Sequence, residues 1–270
     1  MGSERHSMET NGGFKSKLEE GKICIGTGIS FADPTVTEAL CGLLDFVWID
    51  MEHAPLSIET VQSHVMATKG TETTPLVRVP WNDPVLIKPV LDVGAAGVIV
   101  PLIRTVEDAR RAVSACRYPP EGIRGYGPRR PSNYARQGGP TFCQAANDSI
   151  IVIVQIEHLD AVNHLDEILA VPGITSVVVG PNDLSGSMGH MGDPRHPNVL
   201  KAIDTVIAKA RKAGVFVGVA VGDDPDILVE WVDKGMQWLL MGCDFTLLLR
   251  AATQVTRQVR AHQEKTLLTR

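Results

Sequence analysis

Two carboxylates, an arginine and a histidine stand where short apolar runs end, and they are the groups in this chain best placed to do chemistry. Glu157 closes the run Ile150-Ile151-Val152-Ile153-Val154-Gln155-Ile156, and Asp183 follows Val177-Val178-Val179-Gly180-Pro181-Asn182. Runs of this kind suit strands covered on both faces, as in a parallel sheet. A carboxylate at the tip of such a strand is costly to desolvate unless a cation meets it. Two of them on adjacent strands point to a divalent ion of the Mg²⁺, Mn²⁺ or Co²⁺ type, because oxygen ligands suit hard or borderline metals. Zinc would more often bring several histidines, and only His158 stands beside a proposed ligand. The competing reading makes each acid a helix cap, Glu157 before residues 159–170 and Asp183 before residues 184–188.

Asp50 and His53 form the candidate acid–base pair. Histidine titrates near neutrality, and a carboxylate that accepts its ring N–H would fix the tautomer. Alone, a D-x-x-H would be a solvated loop; its place directly after a strand favours the pair. Arg78, also at a strand tip, carries a planar fork suited to a carboxylate or an enolate oxygen. An ion pair with Asp50 or Glu52 is compatible with that role. No lysine falls at a strand end, which argues against a Schiff-base mechanism, since that chemistry needs a desolvated amine nucleophile. Gly180-Pro181-Asn182-Asp183-Leu184-Ser185 combines a tight turn with a helix start, where free backbone N–H groups favour a small anion.

These groups need a frame, and the chain supplies one by alternating apolar runs with amphipathic segments eight times. The predicted strands are residues 23–28, 46–50, 76–79, 97–100, 150–156, 176–179, 216–220 and 238–241. Helix starts are marked by Asp33-Pro34, Asp83-Pro84, Ser57 and Thr105, through capping acids or hydroxyls and a proline in the first turn. Repeated β-α units predict parallel strands with right-handed crossovers, and eight of them favour a closed (β/α)8 TIM barrel over an open sheet. The turn Gly26-Thr27-Gly28-Ile29-Ser30-Phe31 lacks the third glycine of a dinucleotide fingerprint. Residues 117–147 read as one long Pro-, Gly- and Arg-rich loop. Its segment 124–136 could meet an acidic substrate or a neighbouring subunit, or simply be solvated.

Length and composition agree with this frame. The 270 residues, 44% hydrophobic and 21% charged, suit one barrel over residues 14–270 after a disordered polar extension at 1–13. A net charge of −5 argues against a nucleic-acid binder. Five widely spaced cysteines with no CxxC pair point to reduced thiols in a cytoplasmic protein. No stretch reaches the length of a membrane span.

The order and identity of these motifs resemble the HpcH/HpaI aldolase family, the metal-dependent class II pyruvate aldolases. The likeness covers residues 23–252. It is carried by Trp48-Ile49-Asp50-Met51-Glu52-His53-Ala54-Pro55, Val77-Arg78-Val79-Pro80, Arg117-Tyr118-Pro119-Pro120 with Arg124-Gly125-Tyr126-Gly127, Gln155-Ile156-Glu157, and Gly180-Pro181-Asn182-Asp183-Leu184-Ser185. The resemblance implies that His53 is the catalytic histidine with Asp50 as partner, and that Arg78 holds the pyruvate oxygen. It also implies that Glu157 and Asp183 ligate the metal, that Gln155 lines the pocket, and that amides around Asn182 and Asp183 receive the pyruvate carboxylate. A homohexamer whose helix after Phe245 packs on a neighbour is implied as well. Met51 stands where the family usually has glycine, and Gly26-Thr27-Gly28 where many members carry tryptophan. Both changes touch the pocket for the aldehyde.

The implied reaction is reversible aldol cleavage of a 4-hydroxy-2-oxo acid to pyruvate and an aldehyde. The metal and Arg78 would stabilise the enolate, and His53 would take the C4 hydroxyl proton. Decarboxylation of a 2-oxo diacid such as oxaloacetate passes through the same enolate, as does other enolate carbon–carbon bond formation. A non-catalytic keto-acid-binding barrel would leave a complete set of acid, base and cation groups unused.

Overall fold

Every apolar run singled out above forms a strand, with ends moved by a few residues at most. The computed structural model describes residues 13–268, so the extension expected at 1–13 lies, except for Gly13, outside the described residues. The strands are β1 (Cys24–Ile29), β2 (Phe46–Asp50), β3 (Thr74–Arg78), β4 (Gly97–Val100), β5 (Ile151–Ile156), β6 (Ser176–Val179), β7 (Phe216–Val221) and β8 (Trp238–Cys243). They pair in parallel, in chain order, and β8 closes on β1 to make a (β/α)8 barrel.

The helices are α1 (Phe14–Glu19), α2 (Thr35–Leu40), α3 (Ile58–Ala67), α4 (Pro84–Asp92), α5 (Val106–Cys116), α6 (Gly139–Ser149), α7 (Leu159–Asn163), α8 (Leu165–Leu169), α9 (Pro181–Ser187), α10 (Pro197–Ala213), α11 (Pro225–Asp233) and α12 (Asp244–Leu268). Ser57 and Asp83 accept first-turn amides, and Thr105 forms a reciprocal capping box with Asp108. At Asp33-Pro34 the start shifts by one: Pro34 is the cap residue, and Asp33 accepts the Thr35 amide at 3.0 Å. The expected loop at 117–147 is corrected in part, because its last third is α6. Of its residues only Phe142 and Asn147 are buried, too few to announce a helix by apolar period. The segment after β5 breaks into α7 and α8 at His164, whose ring Nδ1 lies 2.9 Å from the Asp160 carbonyl.

Strand alternation sorts the side chains into two cores. Val47, Ile49, Val77, Val152, Val154 and Ile156 face the helices, while Phe46, Trp48, Leu76, Ile151 and Ile153 fill the barrel. Continuing the inward set by one step of two residues delivers Asp50 on β2, Arg78 on β3 and Gln155 on β5. The same period therefore makes the apolar interior and the polar mouth. At the opposite end α1 plugs the barrel: the Phe14 ring packs edge-on to Phe46 at 5.2 Å and Trp238 at 5.5 Å. Truncating so buried a ring costs roughly 3–5 kcal/mol. Among the described residues no helix is long and apolar enough to cross a membrane.

Candidate active site

Strand β5 brings the most heavily supported carboxylate to the mouth. Pairing of Ile156 with Val179 places Glu157 beside Gly180. A Cβ at Gly180 would lie 3.2 Å from Glu157 Oε2 and 3.2 Å from Gln155 Nε2, so a side chain there would crowd both groups. Glu157 is 4% exposed. The Leu102 amide donates to its Oε1 at 2.7 Å, and the Gln155 side-chain amide donates to its Oε2. Burial pushes the Glu157 carboxyl up to about 7 against the pull of the Leu102 N–H; the charges of Glu52 and Asp183 add to the rise and Arg78 opposes it. Glu157 does not cap α7, since His158 Nδ1 accepts the Asp160 amide there. Gln155 Oε1 is buried and has no hydrogen-bond partner.

Across the mouth, β2 and β3 pair in register so that Asp50 lies directly opposite Arg78. Arg78 Nε donates to Asp50 Oδ1 at 2.9 Å and Nη2 to Oδ2 at 2.6 Å, a two-point fork. Its Nη1 lies 3.1 Å from Glu52 Oε2, although that oxygen has no well-aligned donor. The guanidinium also sits 5.1 Å from the Trp48 ring, within cation–π range. The expected pairing of Asp50 with the His53 ring is not formed. Asp50 Oδ1 instead accepts the backbone amides of Glu52 at 3.0 Å and His53 at 3.4 Å. The fork of Arg78 occupies both Asp50 oxygens, while the His53 side chain, 67% exposed, has its Nε2 3.8 Å from Glu52 Oε2.

Asn182 and Asp183 lie in the first turn of α9, and both are exposed. Their amides precede the first intrahelical bond, which runs from the Leu184 N–H to the Gly180 carbonyl at 3.0 Å. None of the lysines is buried or on a strand. The Arg-rich segment is not simply solvated: Arg124 is buried, ion-paired with Asp92 at 2.8 Å and placed 4.5 Å from the Tyr118 ring. A surface groove of about 370 Å³, lined by Gln62, Lys88, Arg129 and Tyr134 among others, shares no residue with the mouth.

The donor set fits a divalent cation. Glu157 is a desolvated carboxylate that feels the charge of Arg78, itself forked onto Asp50, and Asp183 adds a second negative charge. Among the described residues no group of three or more His, Cys, Asp or Glu side chains converges on a point, so protein ligands would fill only part of a coordination shell.

The HpcH/HpaI aldolase/citrate lyase family pattern matches residues 31–251. The chain belongs to this family. It is 39% identical over 244 residues to a hydroxypyruvate/pyruvate aldolase of Roseovarius nubinhibens, covering 89% of this chain and 94% of that one. It is 40% identical over 242 residues to a 4-hydroxy-2-oxo-heptane-1,7-dioate aldolase of Salmonella paratyphi C, covering 88% and 91%. The crystal structure of an HpcH/HpaI aldolase/citrate lyase family protein from Burkholderia cenocepacia J2315 superposes with a TM-score of 0.86 at 35% identity, covering 91% of this chain and 98% of that one.

All the polar residues described at the mouth fall within the HpcH/HpaI match. Two groups at the mouth, the Glu52 side chain and the Leu102 amide, are not marked as working groups by the sequence. Glu52 entered only as a possible partner for Arg78, yet it stands between Arg78 and His53. Leu102 carried no signal at all, because its contribution is a backbone N–H reaching a residue 55 positions away.

Proposed function

We propose that this HpcH/HpaI family member is a carbon–carbon lyase that cleaves a 4-hydroxy-2-oxo acid reversibly to pyruvate and an aldehyde. The observation that carries the reading is Glu157: a carboxylate taken out of water, bonded on both oxygens, with Asp183 close enough to disfavour its charge. The aldolase relatives, near 40% identity over most of both chains, support the same reaction class.

Glu157 and Asp183 would hold a divalent ion, Mg²⁺, Mn²⁺ or Co²⁺. When bound, such an ion supplies Lewis-acid stabilisation for negative charge developing on a keto oxygen. Arg78, already aimed by Asp50, adds fixed positive charge beside the forming enolate and costs no reorganisation at that moment. The first-turn amides of Asn182 and Asp183 receive the substrate carboxylate, and Gln155, bonded to Glu157, lines the pocket. His53 takes the C4 hydroxyl proton as the C3–C4 bond breaks, the enolate takes up a proton at C3 to leave as pyruvate, and in the reverse direction His53 returns its proton to the new hydroxyl. Glu52, rather than Asp50, is the carboxylate near its ring.

The apolar row Leu248, Leu249, Val255 and Val259 is exposed along α12. It supports assembly of the chain with its own copies, a hexamer on the family pattern, and sedimentation measures that directly. The five cysteines, none in a disulfide, are consistent with a cytoplasmic location.

The test is pyruvate release from a 4-hydroxy-2-oxo acid. Activity should vanish in chelator and return with Mg²⁺, Mn²⁺ or Co²⁺. Full activity in chelator removes the metal from the proposal. Release of carbon dioxide from oxaloacetate without aldehyde formation from any hydroxy-keto acid replaces the aldolase with a decarboxylase.

A further inference from the structure

We propose that Leu102 is a positioning residue: its left-handed backbone aims an N–H at Glu157 and so sets the metal-binding carboxylate. The inference rests on the reading of Glu157 as a ligand. Leu102 follows β4 with φ of 55°, a region that resists a leucine side chain and that glycine enters freely. Something must hold it there, and its own side chain does not. Val100 and Ile103 on either side belong to the apolar core around the barrel, whereas Leu102 is half-buried and belongs to neither apolar cluster.

What the conformation achieves is the 2.7 Å bond from the Leu102 N–H to Glu157 Oε1. Gln155, from the strand that carries Glu157, donates to the other oxygen. One donor per oxygen, one from the segment after β4 and one from β5, stops the carboxylate rotating about its terminal torsion. Gly180 leaves room on the third side, where a Cβ would press on Oε2 at 3.2 Å. Each oxygen keeps a lone pair for a cation, and the orientation of those lone pairs is set before any ion arrives. Outer partners of this kind orient a ligand and strengthen its hold on metal.

The experiment replaces residue 102 of the full chain with the α-hydroxy acid analogue of leucine. An ester oxygen then stands where the N–H was, and the side chain is retained. Mn²⁺ is titrated into the metal-free protein and followed by electron paramagnetic resonance of the free ion, with thermal unfolding as the control for folding. The ester protein should bind Mn²⁺ about 10–100-fold more weakly than wild type. Leu102→Gly keeps the N–H and tolerates the φ, and should stay within about threefold of wild type. Leu102→Ile, whose branched Cβ resists positive φ, should fall between the two and gives the same information by ordinary mutagenesis. Wild-type affinity in the ester protein or in Leu102→Ile overturns the proposal. So does a loss in Leu102→Gly as large as that in the ester protein, which would assign the effect to the side chain. Undiminished Mn²⁺ binding by Glu157→Gln is a different failure, rejecting Glu157 as the ligand.

Discussion

The two sides of the barrel mouth are built differently. On the β4–β6 side, Glu157 is 4% exposed and bonded on both oxygens, by a backbone amide beyond β4 and a side chain on β5. On the β2 side, the His53 side chain is 67% exposed, and its ring has only a 3.8 Å approach to Glu52. Arg78 stands between these extremes, forked onto Asp50 across a strand pair. Arg78 ends β3 and Glu157 directly follows β5, and strands locate a side chain more tightly than a loop does. The group that would move a proton sits on a loop, free to meet whatever substrate the mouth accepts. Apo geometry at such a residue does not exclude it, since catalytic hydrogen bonds often tighten only in the complex.

The contrast can be broken most decisively at Glu157. Glu157→Gln should reduce Mn²⁺ affinity by more than the ~100-fold typical of losing an outer partner, as titration of the metal-free protein would show. His53→Gln should lower kcat by about 10²–10⁴ while leaving Mn²⁺ affinity unchanged; unaltered turnover would make His53 a solvated loop residue. Arg78→Lys keeps a charge but loses the fork, and a kcat lower by about 10²–10³ is expected in steady-state pyruvate release. An equal rise in KM with kcat retained would assign Arg78 to ground-state binding alone.

The smallest effect concerns the loop after β1, the strand between β2 and β8. Asp244 accepts the Ser30 and Phe31 amides, each at 2.8 Å. His64, fully buried, lies 2.8 Å from the Thr37 hydroxyl and 3.1 Å from the Phe31 carbonyl. Burial holds the His64 imidazole below its ordinary value of 6.5, although the Phe31 carbonyl and the Asp244 and Asp33 charges oppose this. The unfolded chain therefore takes up the proton at a higher pH than the folded one. This contribution to stability is complete above 6.5 and is lost as pH falls through the lower folded value. The unfolding temperature of wild type should drop over that window more than that of His64→Gln. Parallel curves would remove His64 from the account.

Much of this was legible in local sequence. The eight apolar runs became eight strands, and Ser57, Asp83 and Thr105 cap the helices they introduce. Asp50, Arg78 and Gln155 could be placed at the mouth because strand alternation is local and fixed. The helix α6 was hidden because its apolar face is short, and α1 because its value lies in Phe14 meeting Phe46 and Trp238. Local spacing pairs Asp50 with His53, but in the fold Arg78 on the neighbouring strand takes Asp50, since a two-point arginine fork outcompetes a single imidazole N–H for the same oxygens.

The sequence by itself determined the barrel, the direction of its strands and which residues reach its rim, because hydrophobic period and cap chemistry act within a few residues. Only the tertiary structure decided how those residues are used: that Arg78 claims Asp50, that Glu52 faces His53, and that a leucine amide 55 residues away holds Glu157. Hydrogen bonds between distant segments depend on distance and angle after closure, and neither is written in any one stretch of chain.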